Sequence, residues 1–299
     1  MDGPFFRGKM KPMNYKRLCI ILLLVVIVQS AFQMKDLFKP KESKEVSFEE
    51  EISSLFDEAI ENKTIEVYYQ PIISCEDESV FGAEALSRWS VNGEYLSPSV
   101  FVQILEESGQ VKVLDRYVFE NVCAFQRKRI DEGKDAFSIS VNLSALSAMD
   151  EDIAEDLRMI CDEMKVSPSL INLEVTETLD NDPEALAETV ERLKAAGFKT
   201  EIDDFGAGYA SYYELSSIEY DILKIDKSII DAISEQRGEL LIKELLSLSK
   251  QLNMKVIAEG VETKDQIEFL KENGCDAIQG YYYSKPLPEN EFIEYLSKH

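Results

Sequence analysis

The chain has 299 residues, 45% of them apolar, which is enough for one α/β barrel of about 250 residues plus a short extension. A formal net charge of −25 excludes a nucleic-acid polymer as partner, because no basic face exists to release phosphate counterions. The single histidine, His299, excludes most histidine-based catalysis, histidine-rich zinc sites and Ser-His-Asp triads within this polypeptide.

Residues 1–17 form a basic flank, and Leu18 to Val28 is an unbroken apolar run that Ala31 and Phe32 extend into one hydrophobic helix over 18–33. This run falls a little short of the usual span of about 20 residues. A membrane anchor, a signal-peptide core, and an upstream stretch absent if translation starts at Met34 all fit it. Residues 34–46 read as a charged linker. Nine of the 32 basic and four of the 57 acidic residues lie in 1–46, which leaves 23 basic against 53 acidic residues beyond. An anionic substrate could bind that part only where metal ions reverse the local field. The five cysteines (Cys19, Cys75, Cys123, Cys161, Cys275) form no C-x-x-C pair and read as small buried hydrophobes in a reducing compartment.

From residue 47 the pattern is that of a barrel. Ser47 with Glu50 makes a capping box for a helix through Ile52, Leu55, Phe56 and Ala59. Glu66–Ile73 and Val80–Leu86 read as strands joined by Cys75–Ser79 alone. A parallel pair needs a crossover of about a dozen residues, so these two are expected to be antiparallel. Helices and strands then alternate: a helical stretch Pro98–Gly133 interrupted near Gly109, strand Phe137–Asn142, helix Glu151–Lys165, strand Ile171–Glu174, helix Pro183–Ala196 and strand Lys199–Asp203. A short helix, strand Ile222–Ile225, one long helix Ser228–Asn253, strand Lys255–Ala258, helix Lys264–Asn273, strand Ala277–Gln279 and a closing helix Pro288–Leu296 complete eight strands. The expected fold is a modified (β/α)₈ TIM barrel with an antiparallel first strand, preceded by one N-terminal hydrophobic helix.

Several of these strands turn polar at or near their ends: Ala83-Glu84-Ala85-Leu86, Ser140-Val141-Asn142-Leu143, Asn172-Leu173-Glu174-Val175, Glu201-Ile202-Asp203-Asp204, Leu223-Lys224-Ile225-Asp226 and Val256-Ile257-Ala258-Glu259. Such tips converge on the C-terminal mouth of a barrel. Hard oxygen donors plus one lysine point to divalent cations rather than a covalent nucleophile.

The segment Gly82-Ala83-Glu84-Ala85-Leu86-Ser87-Arg88-Trp89 resembles the signature of EAL-domain cyclic di-GMP phosphodiesterases. The likeness continues in order through Gln70-Pro71-Ile72, Val141-Asn142-Leu143-Ser144, Glu174-Val175-Thr176-Glu177, Asp203-Asp204-Phe205-Gly206-Ala207-Gly208, Lys224-Ile225-Asp226, Ala258-Glu259-Gly260-Val261-Glu262-Thr263 and Gln279-Gly280-Tyr281, so it covers the barrel over 47–299. The resemblance implies hydrolysis of cyclic di-GMP to linear pGpG by two Mg²⁺ or Mn²⁺ ions. It implies metal ligands at Glu84, Asn142, Glu174, Asp203, Asp204 and Glu259. Lys224 would hold or deprotonate the attacking water, with Glu262 and Gln279 ordering the same region. Gln70, Leu86 and Arg88 match substrate-contacting positions, Arg88 for a phosphate and Gln70 for a guanine. Glu177 and Asp226 would stabilise the loop after Asp203-Asp204, and a homodimer through the barrel is implied.

Two other classes compete. One is a silent EAL domain that binds the dinucleotide or a protein without cutting it, the other a secreted phosphodiesterase of different specificity. The intact ligand set favours catalysis. The expected location is the inner (cytoplasmic) membrane through the N-terminal helix with the barrel in the cytoplasm, or a soluble cytoplasmic protein if translation starts at Met34. The basic flanks, read literally, place the barrel on the other side.

Overall fold

The structure is a computed structural model that describes residues 47–175, 183–206 and 212–299. The hydrophobic segment 18–33 with its flanks, Cys19 and Glu177 lie outside the described residues. Among the described residues, no helix is long and apolar enough to cross a membrane.

β1 (Ile65–Ser74) and β2 (Val80–Val91) are antiparallel, with Gln70 opposite Glu84. The five-residue bridge between them leaves no other option. β3 (Glu94–Leu96) folds back on β2. β4 (Ser138–Leu143), β5 (Ile171–Val175), β6 (Lys199–Phe205), β7 (Ile222–Ile225), β8 (Lys255–Ala258) and β9 (Ala277–Gln279) then add in parallel, starting against β2. β9 pairs antiparallel with β1 and closes the eight-strand barrel, while β10 (Leu287–Pro288) is a short addition to β1. The expected antiparallel first strand is present.

Two expectations are corrected. β2 runs past Leu86 to Val91 and returns through Asn92-Gly93, both at positive φ (54° and 85°), a two-residue loop of the kind an Asn-Gly pair favours. The expected single helix Ser228–Asn253 is divided into Lys227–Ile230, a 3-10 turn Asp231–Ser234 and Gln236–Gln251. The physical cause is local. Asp226 caps the first piece by accepting from the Ser228 amide, and Glu235 is extended (φ −109°, ψ 133°). Gly238 lies so close to Ala232 that an added Cβ would sit 2.0 Å from its carbonyl oxygen.

The helices pack outside the strands through a large apolar core that includes Phe56, Trp89, Phe101, Phe119 and Phe292. Trp89 lies edge-on between Phe56 and Phe101 and packs in this core. Inside the barrel a separate small apolar cluster, Ile72, Ile222, Ile257 and Ala277, forms part of the floor. Side chains alternate faces along a strand, so the residue two positions nearer the mouth also points inward. That step leads from Ile72 to Gln70 on the reversed strand, from Ile222 to Lys224, from Ile257 to Glu259 and from Ala277 to Gln279. On the opposite wall it leads from Gly82 to Glu84, Ser140 to Asn142, Asn172 to Glu174 and Glu201 to Asp203. Every barrel strand thus supplies one polar residue to a common ring.

Candidate active site

The centre of the ring is the Lys224 ammonium, 1% exposed, 2.7 Å from Glu174 Oε1, 2.7 Å from Glu259 Oε1, 2.9 Å from Asp203 Oδ1 and 3.9 Å from Glu84 Oε2. Burial alone would lower its pKa, but Asp203, Glu174, Glu259 and Glu84 outweigh that and hold it well above the ordinary value. In this arrangement the group is a cation that orients and donates, not a base. Asp226 is not among its partners and instead caps the helix that begins at Lys227 by accepting from the Ser228 amide.

Around the ring Gln279 Nε2 donates to Glu84 Oε2 and, at 3.2 Å, to Gln70 Oε1, while Asn142 Nδ2 donates to Glu84 Oε1 at 3.4 Å. Gln70 Nε2 donates to the Ser284 carbonyl at 3.2 Å. Asp204 departs from strand alternation. β6 loses its regular register between Ile202 and Phe205, and Asp204 adopts φ +49°, so both members of the Asp203-Asp204 pair face the mouth. Asp203, Asp204 and Glu259 each offer a carboxylate oxygen within 4.8 Å of the others.

The electrostatics are those of a site waiting for positive charge. Burial raises Glu174, with Lys224 opposing and Glu84 and Asp203 adding to the rise. Burial, then Asp203 and Asp226, raise Asp204. Glu259 is pushed up to about 8, first by burial, with Lys224 opposing and Asp203 and Glu84 reinforcing. Glu174 is fully buried, and among the described residues its Oε2 has no hydrogen-bond donor. One lysine cannot balance five carboxylates. Oxygen donors of this density and hardness fit divalent cations, so the residues present fit the metal centre that the sequence implies.

A sign follows for pH. Below about 8, Glu259 holds a proton in the metal-free protein that a divalent cation must displace. Because its folded pKa lies above its unfolded value, the metal-free fold also loses stability as pH rises from about 4.5 toward 8. We expect the apparent Mn²⁺ affinity to rise by up to about tenfold per pH unit between 6 and 8 and to flatten above, as read by calorimetric titration. An affinity independent of pH over that range would contradict the upward shift of Glu259.

Two cavities of about 570 and 530 Å³ open on either side of Glu84, Leu86, Asp203 and Asp204, which line both. Arg88 lines the first and Gln70 the second. Arg88 has no carboxylate within ion-pair distance among the described residues; its Nη1 donates to the Ser87 carbonyl at 2.9 Å. Of the residues expected from sequence, Glu262 stands apart. It lines the rim of the second cavity but is half-exposed and paired with Lys227 Nζ at 3.2 Å. Tyr281 and Tyr282 are exposed (57% and 46%).

Sequence reasoning assigned no role to Lys227, which also contacts Asp231 and the Gly260 carbonyl. It also missed a buried set beneath the ring, where Glu201 Oε1 accepts from Ser140 Oγ at 3.0 Å and Asn172 Nδ2 at 2.7 Å. The available signal was spacing: Asn172 and Glu201 precede Glu174 and Asp203 by two.

The EAL domain family matches residues 55–286. The chain belongs to this family. The EAL domain here is 36% identical over 247 residues to the "Probable cyclic di-GMP phosphodiesterase PdeB" of Escherichia coli K12, covering 81% of this chain and 46% of that protein. It is 33% identical over 257 residues to the "Cyclic di-GMP phosphodiesterase NbdA" of Pseudomonas aeruginosa, covering 85% of this chain and 32% of that one. The chain therefore spans less than half the length of either relative. A solved structure, "PaMucR Phosphodiesterase, c-di-GMP complex", superposes with a TM-score of 0.75 at 31% identity, covering 81% of this chain and 99% of that chain.

Proposed function

We propose that this EAL domain hydrolyses cyclic di-GMP to linear pGpG with two divalent cations, Mg²⁺ or Mn²⁺, held by Glu84, Asn142, Glu174, Asp203, Asp204 and Glu259. The observation that carries this reading is the convergence of Glu84, Glu174, Asp203 and Glu259 on Lys224 at the mouth of one barrel, with Asn142 on Glu84 and Asp204 beside Asp203 and Glu259. Similarity to proteins named for this activity, and to a structure titled as a cyclic di-GMP complex, supports it. Bound there, divalent cations supply an activated water and neutralise the non-bridging phosphate oxygens.

The chain's own residues do the rest. Lys224, locked among Glu174, Asp203 and Glu259, spends its three N–H donors on those carboxylates and keeps them converged. Gln279 fixes Glu84 by donating to it, so that Glu84 keeps one orientation. Arg88, with no acidic partner among the described residues, is available for a phosphate in the first cavity, and Gln70 offers its amide toward a guanine in the second. The two cavities on either side of Glu84 suit a ligand with two base-bearing halves.

The test is incubation of the purified chain with cyclic di-GMP and Mg²⁺ or Mn²⁺, with products resolved by chromatography. The expected product is pGpG, absent from a Glu84→Ala control. Ca²⁺ as sole cation is expected to reduce turnover at least about tenfold, because a larger ion with longer, looser coordination fits a compact carboxylate ring poorly. No pGpG above the control would leave a domain that binds without cutting.

A further inference from the structure

The antiparallel first strand has a geometric consequence for Arg88. Since β1 runs opposite to its neighbours, its N-terminal half rises with the C-terminal half of β2 above the mouth, and β3 borders them. Tyr68 lies two residues from Gln70 and so shares its face of β1; Arg88 shares its face of β2 with Glu84 and Leu86. The Arg88 guanidinium carbon lies 5.7 Å from the centroid of the Tyr68 ring, within cation–π range. The Tyr68 hydroxyl lies 3.1 Å from that of Tyr95 on β3, and the Tyr95 hydroxyl donates to Glu66 Oε2 at 3.1 Å. Tyr68 is therefore held from both sides: by main-chain pairing to β2 and β10, and by a polar chain ending in a carboxylate.

We infer that Tyr68 is a positioning residue that holds Arg88 toward a phosphate of the dinucleotide, with Tyr95 and Glu66 fixing the ring. Three observations carry it. Among the described residues Arg88 has no acidic partner, and apart from Tyr68 its guanidinium contacts the Ser87 carbonyl. Arg88 lines the 570 Å³ cavity whereas Tyr68 does not, so the tyrosine acts through the arginine. An aromatic face holds a guanidinium without neutralising it, which leaves its donors free for an anion. A carboxylate in the same place would hold Arg88 equally well and cancel the charge the ligand needs. The inference rests on the proposed substrate class, not on the hydrolytic step.

The test is calorimetric binding of cyclic di-GMP to the full chain with Ca²⁺ as cation, alongside pGpG formation with Mn²⁺. Tyr68→Leu is expected to weaken binding about three- to tenfold, the range of an arginine–aromatic contact, and to raise KM in parallel with kcat changed less than about twofold. Tyr68→Phe keeps the ring and is expected to retain most of the affinity. In an Arg88→Gln background, Tyr68→Leu is expected to cost nothing further. Equal losses from Tyr68→Leu with and without Arg88 would overturn the inference, as would a Tyr68→Leu chain that binds like wild type. A wild type that binds but forms no pGpG would defeat the hydrolytic reading while the binding comparison still decides the role of Tyr68. A wild type that binds no cyclic di-GMP overturns both.

Discussion

Lys224→Met is expected to destabilise the metal-free protein by about 3–5 kcal/mol, the usual cost of removing one partner from a buried ion cluster. Methionine fills most of the lysine's volume, so the loss is electrostatic rather than a cavity. The ammonium lies within 3 Å of Glu174, Glu259 and Asp203, and without it those carboxylates face one another in a largely buried site. They can respond only by taking up protons or by moving apart. The loss is therefore expected to be smaller at pH 5.5 than at pH 7.5, and Mn²⁺ is expected to restore a substantial part of it. Urea unfolding in EDTA and in Mn²⁺ at both pH values measures this. A variant as stable as wild type in EDTA at pH 7.5 would mean that Lys224 does not balance the ring.

Asp203→Asn is expected to lower kcat on cyclic di-GMP by about 10³-fold, corresponding to roughly 4 kcal/mol of lost charge stabilisation. The substitution keeps shape and removes charge at the residue shared between the Asp203–Asp204–Glu259 group and the Lys224 contacts. Stability is expected to change far less than activity. Glu174 and Glu259 still pair with Lys224, and an asparagine there adds one less repulsive charge. KM is expected to move only a few-fold, because Gln70 and Arg88 lie on β1 and β2 and are untouched. Steady-state kinetics with saturating Mn²⁺ separates the two parameters. A variant with near wild-type kcat would remove Asp203 from the proposed ligand set.

Much of this architecture was legible because strand periodicity and the length of connections are local properties. The five-residue bridge after Ser74 dictated antiparallel pairing, and apolar runs that turn polar near their ends marked Glu84, Asn142, Glu174, Asp203, Lys224 and Glu259, whereas Gln279 followed from the family resemblance alone. The failures also have physical causes. The end of β2 was misplaced because the polar Ser87-Arg88 pair reads as a strand terminus, although Asn92-Gly93 marked the true turn. The broken helix after Asp226 was hidden because helix-compatible residues with apolar Ile229, Ile230 and Ile233 before it and Leu240 and Leu241 after it flank a break made by one extended residue, Glu235. Asp204 could not be derived from alternation at all, since only the irregularity in β6 turns it inward. Glu262 shares its short segment with Glu259, yet its pairing with Lys227 at the rim is a tertiary fact that spacing does not encode.

The most direct measurement is anomalous diffraction from crystals grown in Mn²⁺, compared between wild type and Asp203→Asn. The account predicts two manganese peaks among Glu84, Asn142, Glu174, Asp203, Asp204 and Glu259 in the wild type and the loss of at least one in the variant. Manganese absent from this ring in crystals of a wild-type protein that cleaves cyclic di-GMP in the same buffer would contradict it.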